Sequence, residues 1–316
     1  RRQPTPARPG FNGRARGGAA PRECRQSPPL DGRRSVPLRS PPMTLEDHAG
    51  DVARKARMMA RLPAAEAADL AGLSREAYEA FEADGTLPAG ANWPAVCARL
   101  GLAPDRLRRI AAGWLPAPAD TAHWGGLCRF TTEQEGLAVH SYLAWDLVDR
   151  VAALFDTGWN LAQAEAVLAK LQLRLDHLFI THGHRDHVAA LAEFRQRHPD
   201  ARIHSSVAGT PAAQRNQPGE VVSVGSLRVA HRETPGHAAD GVTYVVTGWR
   251  QDRPAVALVG DAIFAGSMGG APEQGELARG RVREHILTLP DDTLICPGHG
   301  PLTTVAEERA NNPFFA

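Results

Sequence analysis

The segment Thr181-His182-Gly183-His184-Arg185-Asp186-His187 places three histidines and a carboxylate within residues 182–187. It follows the apolar run His177-Leu178-Phe179-Ile180, which reads as a strand. In extended chain, residues i and i+2 point the same way, so His182 and His184 can grip one cation together. A turn into helix near Asp186 redirects Asp186 and His187 toward a second position a few ångströms off. Neutral imidazoles and a carboxylate suit zinc, with iron and manganese as alternatives.

Three later segments carry the same residue types at strand ends. Glu233-Thr234-Pro235-Gly236-His237 puts a histidine in a tight turn before an apolar run near 242–246. Leu258-Val259-Gly260-Asp261 ends a strand with a carboxylate placed to bridge two ions. Ile295-Cys296-Pro297-Gly298-His299-Gly300 ends another with a histidine. Five of the thirteen histidines thus stand beside glycines at strand ends, where backbone can approach an ion closely. Singly, each is as readily a surface or core histidine, as His48, His123, His198 and His285 are expected to be. Jointly they specify a metal centre.

The elements that must position these groups alternate. From about 127 onward, short apolar runs fall at 127–131, 137–143, 151–155, 177–181, 202–205, 220–223, 227–231, 242–247, 255–259 and 293–296. Helical stretches intervene at 160–172, 186–198, 276–288 and 303–310, which indicates an α/β layered domain. Upstream, 45–61, 64–72, 75–83, 92–100 and 104–113 carry Ala and Leu at helical spacing, with Ser74 as an N-cap. This gives an expected organisation of a tail over 1–43, an all-α module over 44–115, a linker over 116–126 and a catalytic domain over 127–316.

Composition bounds the rest. At 316 residues the chain exceeds the usual domain of about 100–200 residues, so two folded units are expected. A net charge of +1 argues for neither a nucleic-acid-coating nor an acidic solvating protein. Residues 1–42 hold ten arginines and nine prolines against Glu23 and Asp31 and read as disordered, which makes Met43 a candidate true start. No apolar run is long enough for a membrane helix or signal segment, so a cytoplasmic protein is expected. Cys24, Cys97, Cys128 and Cys296 form no C-x-x-C pair and read as reduced thiols, with Cys296 near enough to His299 to line the site.

From about Gly126 to its end the chain resembles the metallo-β-lactamase superfamily, and within it the glyoxalase II (hydroxyacylglutathione hydrolase) branch. The marks are Phe155-Asp156-Thr157-Gly158, the 182–187 motif, Gly260-Asp261-Ala262-Ile263-Phe264-Ala265-Gly266-Ser267, Leu289-Pro290-Asp291-Asp292-Thr293, Pro297-Gly298-His299-Gly300-Pro301 and Asn312-Pro313-Phe314. The resemblance implies an αβ/βα four-layer sandwich. It implies one metal on His182, His184 and His237, another on Asp186, His187 and His299, and Asp261 between them. Asp156 would orient a ligating histidine. Two divalent ions, zinc foremost, would share a water and lower its pKa toward about 7. The resulting hydroxide would attack a thioester or ester carbonyl, with Asp186 or Asp261 holding the proton.

Two departures weaken the expectation of glutathione recognition. Met268-Gly269-Gly270-Ala271-Pro272 stands where the branch commonly has a Gly-Arg-Thr-Asp-like stretch, and no basic residue follows Asn312-Pro313-Phe314. The alternatives are a lactonase or other ester hydrolase, a mono-iron persulfide dioxygenase, a nuclease, or a regulator with a metal domain. The upstream helices resemble a repressor-type helix-turn-helix module. Its recognition helix, Arg75 to Asp84, carries Glu76, Glu79, Glu82 and Asp84 against one arginine and would be repelled by phosphates. A packing or partner-binding role, including association of copies of the chain, is therefore the expectation, with a small-molecule substrate and no nucleic acid or membrane.

Overall fold

The computed structural model describes residues 43–316, so the tail expectation for 1–42, with Cys24, lies outside the described residues. Five helices come first: α1 (Ala49–Met59), α2 (Ala64–Ala71), α3 (Arg75–Asp84), α4 (Trp93–Leu100) and α5 (Pro104–Ala111). Their starts are chemically marked. The His48 ring caps α1 while the Asp51 side chain caps in return, Ser74 Oγ accepts from Ala77 N, and Asn92 caps α4.

The sandwich follows as β1 (Leu127–Gln134), β2 (Leu137–Trp145), β3 (Val151–Phe155), α6 (Ala162–Leu171), β4 (Arg174–Phe179), α7 (Arg185–Val188), α8 (Leu191–Arg197) and β5 (Arg202–His204). It continues through β6 (Val221–Val224), β7 (Leu227–Glu233), β8 (Val242–Thr247), β9 (Val256–Gly260), α9 (Gly275–His285), β10 (Leu294–Pro297), β11 (Thr303–Thr304) and α10 (Val305–Asn311). One sheet has the order β1-β2-β3-β4-β5 and the other β11-β10-β9-β8-β7-β6. This is the αβ/βα four-layer sandwich expected from the sequence, with the five helices ahead of it.

Three apolar clusters define the layers. Between the sheets lie Tyr142, Phe155, Phe179, Tyr244, Val246 and Leu258, with the Phe155 and Phe179 rings stacked at 5.0 Å. On the outer face of the first sheet, Leu154 and Leu178 meet Leu161 and Leu168 around α6 and Phe194 of α8. On the outer face of the second sheet, Val245, Ala257, Val259 and Ile295 share one cluster with Val282 of α9 and with Val52, Ala56, Tyr78, Phe81 and Trp93 of the N-terminal helices. That continuity is reinforced by polar ties. Arg279 donates to the Leu100 and Gly101 carbonyls at 2.9 and 2.7 Å, and Arg106 donates to the Asn312 and Phe315 carbonyls.

Three helices differ from expectation, and the one read from 303 begins only at Val305 because Thr303–Thr304 pair with β10 as the edge strand β11. The single helix read over 186–198 is two, α7 and α8, because Ala190 N turns out of the helix to donate to Gly158 O and Thr157 Oγ1. The break lets Asp186 and His187 leave the metal-motif loop on their own short turn. The helix read from 45 begins only at Ala49, leaving residues 45–48 outside it with a bend at Glu46 and Asp47. Among the described residues no helix is long and apolar enough to cross a membrane.

Candidate metal centre

Each sheet contains a parallel pair whose C-terminal ends lie side by side. β3 and β4 pair with Phe155 opposite Phe179, and Asp156 N donates to Phe179 O. The next residues, Asp156 and the 181–187 loop, therefore emerge together. β9 and β10 pair with Gly260 opposite Pro297, so Asp261 and His299 emerge together as well. Cross-links join the two ends: Val242 N donates to Thr181 O, and His140 N donates to Gly298 O, both at 2.8 Å. His237 arrives from the β7–β8 turn. Six of the seven candidate ligands thus sit at one edge because two parallel pairs terminate there, and the β7–β8 turn brings the seventh.

The ligand atoms fall into two adjoining groups, His182, His184, His237 and Asp261, and Asp186, His187 and His299. His184 Nδ1 lies 3.0 Å from both His182 Nε2 and His237 Nε2. Asp261 Oδ2 lies 3.4 Å from His237 Nε2 and 3.4 Å from His299 Nε2, while its Oδ1 is 3.3 Å from His187 Nε2. Asp186 Oδ2 stands 3.2 Å from His299 Nε2. Asp261 therefore faces both groups.

The surrounding hydrogen bonds fix which ring nitrogens face inward. His237 Nδ1 donates to Gly270 O at 2.9 Å and His299 Nδ1 to Ala138 O at 2.7 Å; a carbonyl can only accept, so each Nε2 offers a lone pair. His187 Nδ1 donates to Asp156 Oδ2 at 2.8 Å. Thr181 Oγ1 donates to Asp156 Oδ2 at 2.7 Å and so accepts from His182 Nδ1 at 3.1 Å. His182 Nε2 and His237 Nε2 then both turn lone pairs toward His184 Nδ1, which carries at most one proton.

Buried acceptors facing acceptors need a cation. His187 Nε2 and Asp261 Oδ1 are buried without a hydrogen-bond partner while facing each other, which is costly unless something positive lies between them. The donor set fits a divalent ion on this observation and on its chemistry: imidazole nitrogens and carboxylate oxygens with their outer atoms already held. With no ion, the carboxylates draw protons instead. Burial acts to lower His299, but its bonds to Asp186 and Asp261 outweigh this and push it up to about 10. Burial likewise opposes a charge on His187, and Asp261 and Asp156 hold it well above the usual range. Burial acts to raise Asp261, yet His187 and His299 hold it well below the usual carboxylate value.

Two glycines are part of the construction. A Cβ on Gly298 would meet Asp261 Oδ1 and, at 2.6 Å, His187 Cε1. Gly260 has φ +50, which turns the chain so that Asp261 points into the site, and a Cβ there would strike the Thr181 side chain.

The fold and ligand geometry correspond to a known family. The family model described as the metallo-beta-lactamase superfamily matches residues 135–299. The chain belongs to that superfamily. Hydroxyacylglutathione hydrolase GloC of Haemophilus influenzae is 27% identical over 202 residues, covering 55% of this chain and 91% of that protein. Persulfide dioxygenase ETHE1 of Bos taurus is 33% identical over 183 residues, covering 55% of this chain and 70% of that protein. The crystal structure of ETHE1 from Myxococcus xanthus superposes with a TM-score of 0.50 at 28% identity, covering 60% of this chain and 84% of that one. The superfamily fold and the His/Asp cluster together indicate a divalent-metal site.

The structure brings together His182, His184, Asp186, His187, His237, Asp261 and His299, and sets Asp156 directly behind His187. Cys296 points into the core between the sheets, away from the ligand groups, and burial pushes its thiol above the usual range. Sequence reasoning missed Thr181, whose hydroxyl sits between Asp156 and His182, and the Ala138 and Gly270 carbonyls that orient His299 and His237. No sequence signal marks a carbonyl, but Thr181 sits next to His182 in the motif and could have been named.

Proposed function

We propose that this superfamily member is a binuclear hydrolase of thioesters or related esters, of glyoxalase II type. In this reading His182, His184 and His237 would hold one ion and Asp186, His187 and His299 a second, with Asp261, which faces both groups, available to each. The observation that carries it is the completeness of the second group beside the first, with Asp261 facing both and its Oδ1 left without a hydrogen-bond partner. Two divalent ions, zinc foremost and iron or manganese as alternatives, would supply Lewis acidity and an acidified water at neutral pH.

The chain's residues do the rest. Asp156, Thr181, Gly270 O and Ala138 O keep the imidazoles in the tautomers that bind. Asp186 or Asp261 takes the proton as water adds to the carbonyl carbon. The C–S bond then breaks, and the thiolate leaves with little need of an acid, so no dedicated general acid is required. For the five N-terminal helices we propose packing rather than DNA binding. Glu76, Glu79 and Asp84 face solvent on α3, Arg75 pairs with Glu79, and Glu82 is buried against Arg57. A homo-oligomer formed through these helices remains part of the same proposal.

The second reading, a mono-iron persulfide dioxygenase, is favoured by the 33% identity to the Bos taurus protein. Against it, residues 268–272 lack the Gly-Cys-Gly-Arg-Thr-Asp-like stretch typical of that branch. The test is metal content of the purified protein together with hydrolysis of S-lactoylglutathione, using His184→Ala as control. Two metals and a thioesterase rate lost in the variant support the hydrolase. Two metals without turnover move the substrate to lactones or other thioesters, and a single iron with persulfide oxidation overturns the reading.

A further inference from the structure

The residues before α1, bent at Glu46 and Asp47, lie against the segment that carries His299. The Glu46 main-chain nitrogen and Cβ stand 3.1 Å from the point where a side chain on Gly300 would begin, one residue beyond His299. Its neighbour Asp47 is buried and anchored: Asp47 Oδ2 accepts from Ser267 Oγ at 2.6 Å and from Lys55 Nζ at 2.5 Å. Lys55 Nζ in turn donates to Met268 O at 3.1 Å and sits 5.0 Å over the Phe264 ring, whose edge packs on the His299 ring at 5.8 Å. The 264–268 loop, which follows Asp261, is thereby clamped to the start of α1. Glu46 is fixed at the rim while its own side chain stays exposed. Partial desolvation raises its carboxyl above the usual range against the opposing pull of His299, and Lys55 is already committed to Asp47.

We infer that Glu46 is a specificity-determining residue of this site, disfavouring substrates that carry a carboxylate or phosphate beside His299 and favouring neutral or cationic groups there. The inference rests on the hydrolase reading of the same site and adds a substrate class to it. Asp47 contributes only by placing Glu46, because both protons it accepts come from groups of the protein. A unit charge at a partly solvated rim changes the binding of a nearby charge by a factor of about three to ten at low salt, and by less at high salt.

The test compares two thioesters of one acyl group on the metal-loaded full chain, one with N-acetylcysteamine as the leaving thiol and one with 3-mercaptopropionate. In Glu46→Gln the ratio of kcat/KM, carboxylate-bearing over neutral, should rise about three- to tenfold, mainly through KM, and Glu46→Lys should raise it further. Added salt should shrink the difference. A ratio unmoved in both variants overturns the inference. A binding readout separates this from failure of the hydrolase reading: cobalt(II)-loaded protein is titrated with the two free thiols and thiolate-to-cobalt absorption is followed. If neither thioester turns over but 3-mercaptopropionate gains affinity relative to N-acetylcysteamine in Glu46→Gln, the inference stands and thioester hydrolysis falls. Equal affinity changes for the two thiols overturn it.

Discussion

Asp156→Asn isolates what a single carboxylate behind the metal centre does. Asp156 is buried and accepts three hydrogen bonds, from Thr181 N at 2.8 Å, Thr181 Oγ1 at 2.7 Å and His187 Nδ1 at 2.8 Å. It also sits at φ +56, a backbone region that asparagine tolerates and alanine does not, so the amide keeps the turn and removes only the charge. The asparagine oxygen can still serve Thr181 N. Its NH2 then faces two groups that were donors. Either His187 shifts its proton to Nε2, or the Thr181 hydroxyl turns toward His182 Nδ1 and drives that proton to Nε2. Each outcome places an N–H where a ligand lone pair is needed. Losing one hydrogen bond to a charged group costs about 1.5–3 kcal/mol. That matches the ten- to hundredfold fall in metal affinity, about 1.4–2.8 kcal/mol, expected when an orienting partner is removed. The assay is zinc competition against a chromophoric chelator, with thermal unfolding of the metal-free protein alongside. A folded Asp156→Asn protein that binds zinc within about twofold of wild type would refute the tautomer reasoning.

Further expectations bear on construction and proton balance. Gly298→Ala should strip metal from both groups, because the added methyl meets Asp261 Oδ1 and the His187 ring; metal analysis that still finds the wild-type content would contradict it. In the metal-free chain His299 is raised from 6.5 to about 10, so its contribution to stability is complete below the unfolded value and is lost as pH rises through about 10. Thermal midpoints of the metal-free protein should accordingly fall between about pH 7 and pH 10, and zinc uptake near pH 7 should release at least about one proton, readable by pH-stat or calorimetry in buffers of different ionisation enthalpy. Arg279→Ala removes the donors to the buried Leu100 carbonyl and the part-buried Gly101 carbonyl and a guanidinium lying 5.1 Å over Phe314, so a loss of about 3 kcal/mol is expected. One shifted unfolding transition would mark the helices and sandwich as cooperative, whereas early loss of helix alone would separate them.

Much of the centre was legible because strand ends announce themselves. An apolar run closed by His-Gly-His, Gly-Asp or Gly-His fixes both an element and the place where its side chain leaves the sheet, and ten of the expected runs are strands here. The edge strand Thr303–Thr304 was not legible, since two residues carry no period. The break between α7 and α8 was hidden for a different reason. Alanine at 189 and 190 is a good helix former, and what ends the helix is a tertiary bond from Ala190 N to Thr157 Oγ1 and Gly158 O. The carbonyls that orient His237 and His299 come from Gly270 and Ala138, remote in sequence and identical in kind to every other peptide group.

The helices ahead of the sandwich contact the loop after Asp261. That loop is held from both sides. Asp47 and Lys55 bind Ser267 Oγ and Met268 O, while Asn312 Nδ2 donates to Ser267 O and Glu308 accepts from Gly266 N. Gly270, two residues past Met268, accepts the proton that sets the tautomer of His237. One loop thus carries both the hydrogen bonds to Asp47 and Lys55 and the carbonyl that accepts from His237 Nδ1. The Asn312-Pro313-Phe314 segment does its work in the same way. Phe314 is fully buried in the cluster shared by the N-terminal helices and the second sheet, and Ala103 N donates to Pro313 O. Residues that read as a mark of the glyoxalase II branch thus join the helices to the sandwich here. Glu46 stands beside Gly300, and Asp47 and Lys55 bind the 267–268 loop, which is why the test of substrate charge is placed at the start of α1 rather than at the C-terminal segment.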